Sequence, residues 1–168
     1  MANKIQTQYF YKDVKTPVGK LRLVASSKGL TAILWEDDKP NRVRLGELKK
    51  DEENTYIKQA EKQLLEYFAG KRKTFDVKLD FNGTEFQKEV WAALLQIPFG
   101  ETRSYAQIAK QIKRPKAMRA VGAANGKNPI SIIAPCHRVI GASGALTGFA
   151  GGLENKAYLL NLESKGDL

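Results

Sequence analysis

Ile132-Ile133-Ala134-Pro135-Cys136-His137-Arg138-Val139-Ile140 holds the single cysteine and the single histidine of the chain, side by side. Apolar residues flank the pair on both sides, which sets it against a core rather than on a tail. A thiol attacks as thiolate, and a neighbouring imidazole or cation lowers its pKa toward neutrality. His137 can take the proton and Arg138 can add positive potential. Successive residues of a regular strand face opposite ways. The dyad therefore requires that Pro135 end a strand and Cys136 sit in a turn, or that a water bridge the two groups. A third group is expected on the other ring nitrogen. The plain alternative is a structural cysteine in the core beside a satisfied histidine.

Charge around the pair weighs against that alternative. The chain of 168 residues carries a net charge of +10. From Thr102 to Leu153 there is no Asp or Glu, while Arg103, Lys110, Lys113, Arg114, Lys116, Arg119, Lys127 and Arg138 fall inside that window. A solvated basic face is the bland reading; phosphate contact explains an acid-free window around a Cys-His pair better. The expected partner is nucleic acid. A lone cysteine excludes an internal disulfide and a cysteine-cluster zinc site, and no metal or cofactor enters the reading. No apolar run is long enough for a membrane span, and Met1 to Tyr11 is polar, without the apolar core of a signal peptide. A cytoplasmic address, where the thiol stays reduced, is expected.

The first 81 residues read as a small α/β unit. Lys20 to Ala25 alternates, Ser27-Lys28-Gly29 can turn, and Leu30 to Trp35 returns as a second strand. Asp37 to Glu53 is charged and reads as loop. Asn54 can cap a helix with Ile57, Ala60 or Glu61, Leu64 and Phe68 on one face, ending at Gly70. Phe75, Val77, Leu79 and Phe81 alternate with polar partners as a half-buried strand. Asn82-Gly83 marks the expected boundary between residues 1–81 and 82–168.

Beyond it, Thr84 with Gln87 and Ser104 with Gln107 have capping-box spacing. They open helices carrying Phe86, Val90, Ala93, Leu94 and Ile97, then Tyr105, Ile108, Ala109 and Ile112. Pro115 suits the first turn of a further helix, Lys116 to about Asn125. Two short helices joined by a tight turn form a helix-turn-helix pattern. The second helix is lined by Ala117, Ala120, Val121, Gly122, Ala123 and Ala124, small enough for its backbone to approach a minor groove. Close packing on the next strand, Ile130 to Ala134, would select the same residues. Gly141 to Gly144 and Gly148 to Gly152 predict a flexible Gly-rich hairpin or wing. A last helix runs from about Glu154 to Ser164, with Ala157, Leu160 and Leu162 apolar and Glu163 near its end.

Pro135-Cys136-His137-Arg138-Val139, with Arg119-Ala120-Val121-Gly122-Ala123 and Asn128-Pro129 upstream, resembles the O6-alkylguanine-DNA alkyltransferase (methylated-DNA–protein-cysteine methyltransferase) family. The resemblance is specific over residues 82–165 and general over the first 80. It implies an N-terminal ribonuclease H-like α/β domain and a C-terminal winged helix-turn-helix-like domain, together an α/β (α+β) protein. It further implies irreversible alkyl transfer to Cys136 from a base flipped out of double-stranded DNA, one turnover per monomer, with no cofactor. His137 would deprotonate Cys136 through a water, Glu163 would orient His137, and Asn128 would hold the water and brace the turn. Tyr105 would serve the departing guanine. Arg119 would fill the gap left by the base. Ser104, Lys116, Ala120, Gly122, Ala123 and Arg138 would meet DNA, and Val139, Phe149, Ala150 and Gly151 would line the base pocket.

Two positions depart from the pattern. Ala150 stands where many members carry serine, and Phe149 where others carry tyrosine, so two polar handles on the base are lost. Two rivals keep parts of the signature. A cysteine hydrolase also uses Cys, His and a carboxylate, and a non-catalytic lesion binder shares the fold but replaces the acceptor cysteine.

Overall fold

The computed structural model describes residues 7–164. The reading of the polar start of the chain rests partly on residues 1–6, which lie outside the described residues. Strands β1 (Tyr9–Thr16), β2 (Gly19–Ala25) and β3 (Leu30–Leu34) form an antiparallel meander, and β4 (Leu48–Lys50) adds in parallel to β1, giving the order β3-β2-β1-β4. The sequence predicted β2 and β3 but neither β1 nor β4. Only Val14 of β1 is fully buried, so its alternation is weak. The loop expected over Asp37 to Glu53 contains β4, three residues with no buried side chain.

Helix α1 (Thr55–Phe68) covers this sheet with Ile57, Ala60, Leu64 and Phe68 buried, as its period predicts. The Asn54 side chain accepts from the backbone N–H groups of Tyr56 and Ile57. Two expected strands are absent, for one reason. The free edge of β3 is divided between two passing segments. Leu30 pairs with Leu79, while Ile33 pairs with Ile130. Neither Phe75–Phe81 nor Ile130–Ala134 has room for a ladder, and each contributes a single bridge.

The second half packs α2 (Glu85–Leu94), β5 (Arg103–Ser104), α3 (Tyr105–Gln111) and α4 (Met118–Gly126) around a separate core. Both expected capping boxes are present, Thr84 with Gln87 and Ser104 with Gln107. Helix α4 begins at Met118 rather than Lys116, since Pro115 and Lys116 lie in the preceding turn and Ala117 offers no side-chain cap. A single 3₁₀ turn, Cys136–Arg138, leads to β6 (Val139–Ile140), which pairs in parallel with β5. Helix α5 (Leu153–Ser164) closes the described chain. Its inward face carries Lys156, Leu159 and Glu163, all buried, while Ala157 is exposed. The expected apolar face was misphased because two of the three inward residues are charged. Among the described residues, no helix is long and apolar enough to cross a membrane.

Candidate active site

The turn before Cys136 decides where the thiol points. Ile132 has φ 75°, a left-handed conformation that costs a β-branched residue energy. Asn128 holds the turn at both ends: its Nδ2 donates to the Ala134 carbonyl at 2.7 Å and its Oδ1 accepts from the Ile130 N–H at 3.1 Å. The chain reverses there, and Cys136 enters a 3₁₀ turn instead of continuing extended. Cys136 and His137 therefore do not obey the opposite-face rule of a strand. Cys136 is 3% exposed, at the floor of the second core.

His137 is fully buried, and its Nε2 lies 2.7 Å from Glu163 Oε2. That contact makes Nε2 the donor and leaves Nδ1 buried and without a hydrogen-bond partner among the described residues, its lone pair able to accept a proton. Glu163 is the third group expected. Burial pushes its carboxyl up, but the hydrogen bonds from His137 and Arg138 outweigh this and hold it at about 2. Burial lowers the His137 pKa, against the opposing pull of Glu163, so the ring is neutral at pH 7. Tyr67, from α1, donates to Glu163 Oε2 at 2.6 Å.

Arg138 corrects the sequence reading. It is 6% exposed and faces inward, with Nε and Nη2 on Glu163 at 2.7 and 3.0 Å and Nη1 on the Ile97 carbonyl at 2.6 Å. Its charge is matched by Glu163, and the side chain neither meets a DNA surface nor activates the thiol. The cations that favour the thiolate are Arg42 and Lys156, and neither was singled out from the sequence. Burial nevertheless dominates and pushes the Cys136 thiol above its ordinary value, with hydrogen bonding from Asn128 opposing it. The resting pair is a neutral thiol beside a neutral imidazole, not the preformed thiolate that adjacency suggests.

The Gly-rich segment is tied down over this floor. The Tyr105 hydroxyl is hydrogen-bonded to Thr147 Oγ1. Lys156, fully buried, donates to the Val139 carbonyl at 2.7 Å and to the Thr147 carbonyl at 3.3 Å. Nothing in the sequence marks Lys156, because lysine reads as surface by default. Val139 itself is wholly buried. Phe149 stands edge-on to Trp35, 5.3 Å between centroids, and 6.5 Å from the His137 ring. Ala150 and Gly151 are half-buried. A Cβ on Gly151 would sit 2.6 Å from the Trp35 indole, whose Nε1 is held by Ser131 Oγ at 3.1 Å. Neither ring nor loop can yield cheaply, so Gly151→Ala is expected to destabilise the protein by about 1–3 kcal/mol, read as a lowered midpoint in urea unfolding.

On the outer side, Lys116, Arg119, Ala120 and Ala123 are exposed, and Gly122 and Ser104 are half-buried. Val121, Ala124 and Asn125 form the opposite, inward face of α4, where the Trp91 Nε1–H donates to the Ala124 carbonyl at 2.8 Å. Close packing thus accounts for the inward small residue Ala124, against α2 rather than the segment Ile130 to Ala134, while Ala120 and Ala123 are left exposed on the other face. Ser104 spends its hydroxyl capping α3 through the Gln107 N–H at 3.1 Å.

A family model described as the DNA binding domain of 6-O-methylguanine DNA methyltransferase matches residues 85–165, and one described as its ribonuclease-like domain matches residues 9–81. The methylated-DNA–protein-cysteine methyltransferase of Methanosarcina mazei is 51% identical over 156 residues, covering 92% of this chain and 96% of its own length. The protein of the same name from Mycobacterium tuberculosis is 50% identical over 155 residues, covering 91% of each. Among solved structures, Mycobacterium tuberculosis OGT in complex with DNA superposes with a TM-score of 0.85 at 48% identity, covering 94% of each chain. Relatives half identical along nine-tenths of the chain, with both halves matched in order, leave one conclusion: this chain belongs to the methylated-DNA–protein-cysteine methyltransferase family.

Proposed function

We propose that this protein repairs O6-alkylguanine in duplex DNA by moving the alkyl group to Cys136, once per molecule. His137, paired to Glu163 and carrying a buried Nδ1 without a partner among the described residues, is the observation that carries the reading. A neutral ring of lowered basicity takes the thiol proton, through a water, only as sulfur commits to attack. Glu163 then stabilises the imidazolium that forms. Sulfur bonds to the alkyl carbon, the carbon–O6 bond breaks, and guanine leaves with the electron pair, with Tyr105 as the proton donor. The product is a thioether, which has no carbonyl for water to attack, so the protein is not regenerated. O4-alkylthymine, with its alkyl group also on a base oxygen, is a second substrate of the same chemistry.

The reacting oxygen lies inside the duplex, so the base must be extruded, at a cost of a few kcal/mol. The exposed small face of α4 suits the minor groove, and admission of the base opens the Tyr105–Thr147 hydrogen bond and lifts the segment from Gly141 to Gly152. Phe149 of that segment packs against the core that holds Cys136, and lifting it is how a buried thiol meets a purine substrate. The protein acts as a cytoplasmic monomer, with residues 1–81 supporting and residues 82–168 reacting. Incubation with O6-methylguanine duplex tests this: one methyl is expected on the Cys136 peptide by mass spectrometry, with no second turnover. A cysteine hydrolase would show turnover and no retained mass.

Arg119 is exposed at the start of α4, on the outer face. If its side chain holds the gap open, Arg119→Ala slows transfer from duplex DNA by about 10- to 100-fold, equivalent to about 1.4–2.8 kcal/mol. Reaction with the free base O6-methylguanine is unchanged, since nothing is flipped. Equal losses on both substrates remove the flipping role.

A further inference from the structure

Two cavities flank the C-terminal end of α4, where it meets the segment between β3 and β4. One, of about 610 Å³, has Gly122, Ala123 and Gly126 on one side and residues 39–42 on the other. The second, of about 170 Å³, is lined by residues including Thr31, Arg44, Gln87 and Pro129. Arg42 and Lys127 line both, so the two are lobes of one seam. Among the described residues, no Asp or Glu lines either lobe.

Arg42 is the girder of this seam rather than a free charge. It is ion-paired through Nε and Nη2 to Asp38, at 2.6 and 2.8 Å, and its Nη1 donates to the Asn128 carbonyl at 2.7 Å. That leaves Lys39, Arg44 and Lys127, all exposed and in no ion pair among the described residues, to supply the positive charge. The acidic end of the same segment is turned elsewhere: Glu36 accepts from the Lys20 N–H at 3.4 Å.

The floor of the smaller lobe carries the second observation. Thr31 is 1% exposed, lines that lobe, and its buried Oγ1 has no hydrogen-bond partner among the described residues. A buried unpaired hydroxyl costs about 1–3 kcal/mol. Valine has the same shape and would suit β3 without that cost. A buried hydroxyl without a partner, lining the same lobe as two exposed cations, is the chemistry of an oxyanion seat.

We propose that this seam is a second phosphate-binding surface for double-stranded DNA, with one backbone phosphate held by Arg44 and Lys127 over Thr31 Oγ1 and a neighbouring one by Lys39. The proposal rests on the duplex-repair reading above. It extends the DNA footprint from α4 onto the sheet half of the molecule. Its contribution is sequence-independent affinity, not chemistry.

The test is binding of a short undamaged duplex by fluorescence anisotropy across a salt series, with the full-length protein. Each phosphate contact removed lowers the slope of log Kd against log salt by about 1, so Arg44→Ala with Lys127→Ala, which share one phosphate, should lower it by about 1. Lys58→Ala, on the far helix α1, is the control and should leave the slope alone. Thr31→Val should weaken binding several-fold without lowering the slope or the thermal midpoint. An unchanged slope in the double variant, with Arg119→Ala still weakening binding, overturns the seam and leaves the repair reading standing. Unchanged affinity in Thr31→Val removes the seat over its hydroxyl. A slope change confined to duplexes long enough for two copies assigns the seam to protein–protein contact and overturns the proposal. Failure of the repair reading itself shows separately, as an unmodified protein that gains no mass from O6-methylguanine duplex.

Discussion

Cys136→Ser is expected to yield a folded protein that binds O6-methylguanine duplex and gains no methyl group. The hydroxyl replaces the thiol at the floor of the second core, with the Asn128 and Ser131 side chains near enough to hydrogen-bond it. The fold therefore loses little. Chemistry loses nearly everything, because His137 is a neutral base weakened by burial and cannot ionise an alcohol as it can a thiol. Loss of a covalent nucleophile in a comparable triad costs on the order of 10⁶ in rate, which places the reaction below detection. Intact-protein mass after incubation is the measurement. A methyl group retained on Cys136→Ser protein would mean that the acceptor lies elsewhere.

Glu163→Gln has the second largest expected effect, and it acts on stability and reaction together. The carboxylate accepts from His137, Arg138 and Tyr67 at once. Neutralising it leaves the Arg138 guanidinium buried without a counter-charge, a change that costs about 3–5 kcal/mol. It also removes the anion that would stabilise the imidazolium, slowing methyl transfer by about 10²–10⁴-fold. Acid stability separates this role from simple packing. Glu163 has a folded pKa of about 2, below its ordinary value, so the unfolded chain binds its proton first. Stability from this group is present above about 4.5 and is lost as the pH falls toward 2. His137 is also held below its ordinary value, so it too favours unfolding as the pH drops below about 6.5. Urea unfolding from pH 7 to 3 should show a steep decline in the unmodified protein. In Glu163→Gln the part below about 4.5 should flatten. A decline of the same steepness in both would place the acid sensitivity elsewhere.

Local pattern carried the helices well and the strands poorly. Helix α1, both capping boxes and the helix-turn-helix could be read because caps and apolar spacing act within a few residues of each other. Strands depend on partners. The segments Phe75–Phe81 and Ile130–Ala134 have good strand composition, but β3 offers each only one bridge. Helix α5 shows the opposite failure. Its inward face holds Lys156 and Glu163, so the residues that matter most to the site erase the period that would have revealed the face.

The sequence alone pointed to the chemistry. One thiol beside one imidazole, inside an acid-free basic window and behind a helix of small residues, makes a nucleophile, its base and a polyanionic partner the expectation. Those are facts of covalent neighbourhood and composition. Tertiary structure alone decided how the charges are used. It turned Arg138 inward onto Glu163, made Lys156 and Arg42 the cations that favour the thiolate, and set Tyr67 and Trp35 from the sheet half against the site. Each of these contacts joins residues 20 or more positions apart, or places a side chain that adjacency would send elsewhere. Which buried charge meets which counter-charge is settled only when the chain packs, because the cost of leaving either one unpaired is paid across the whole core.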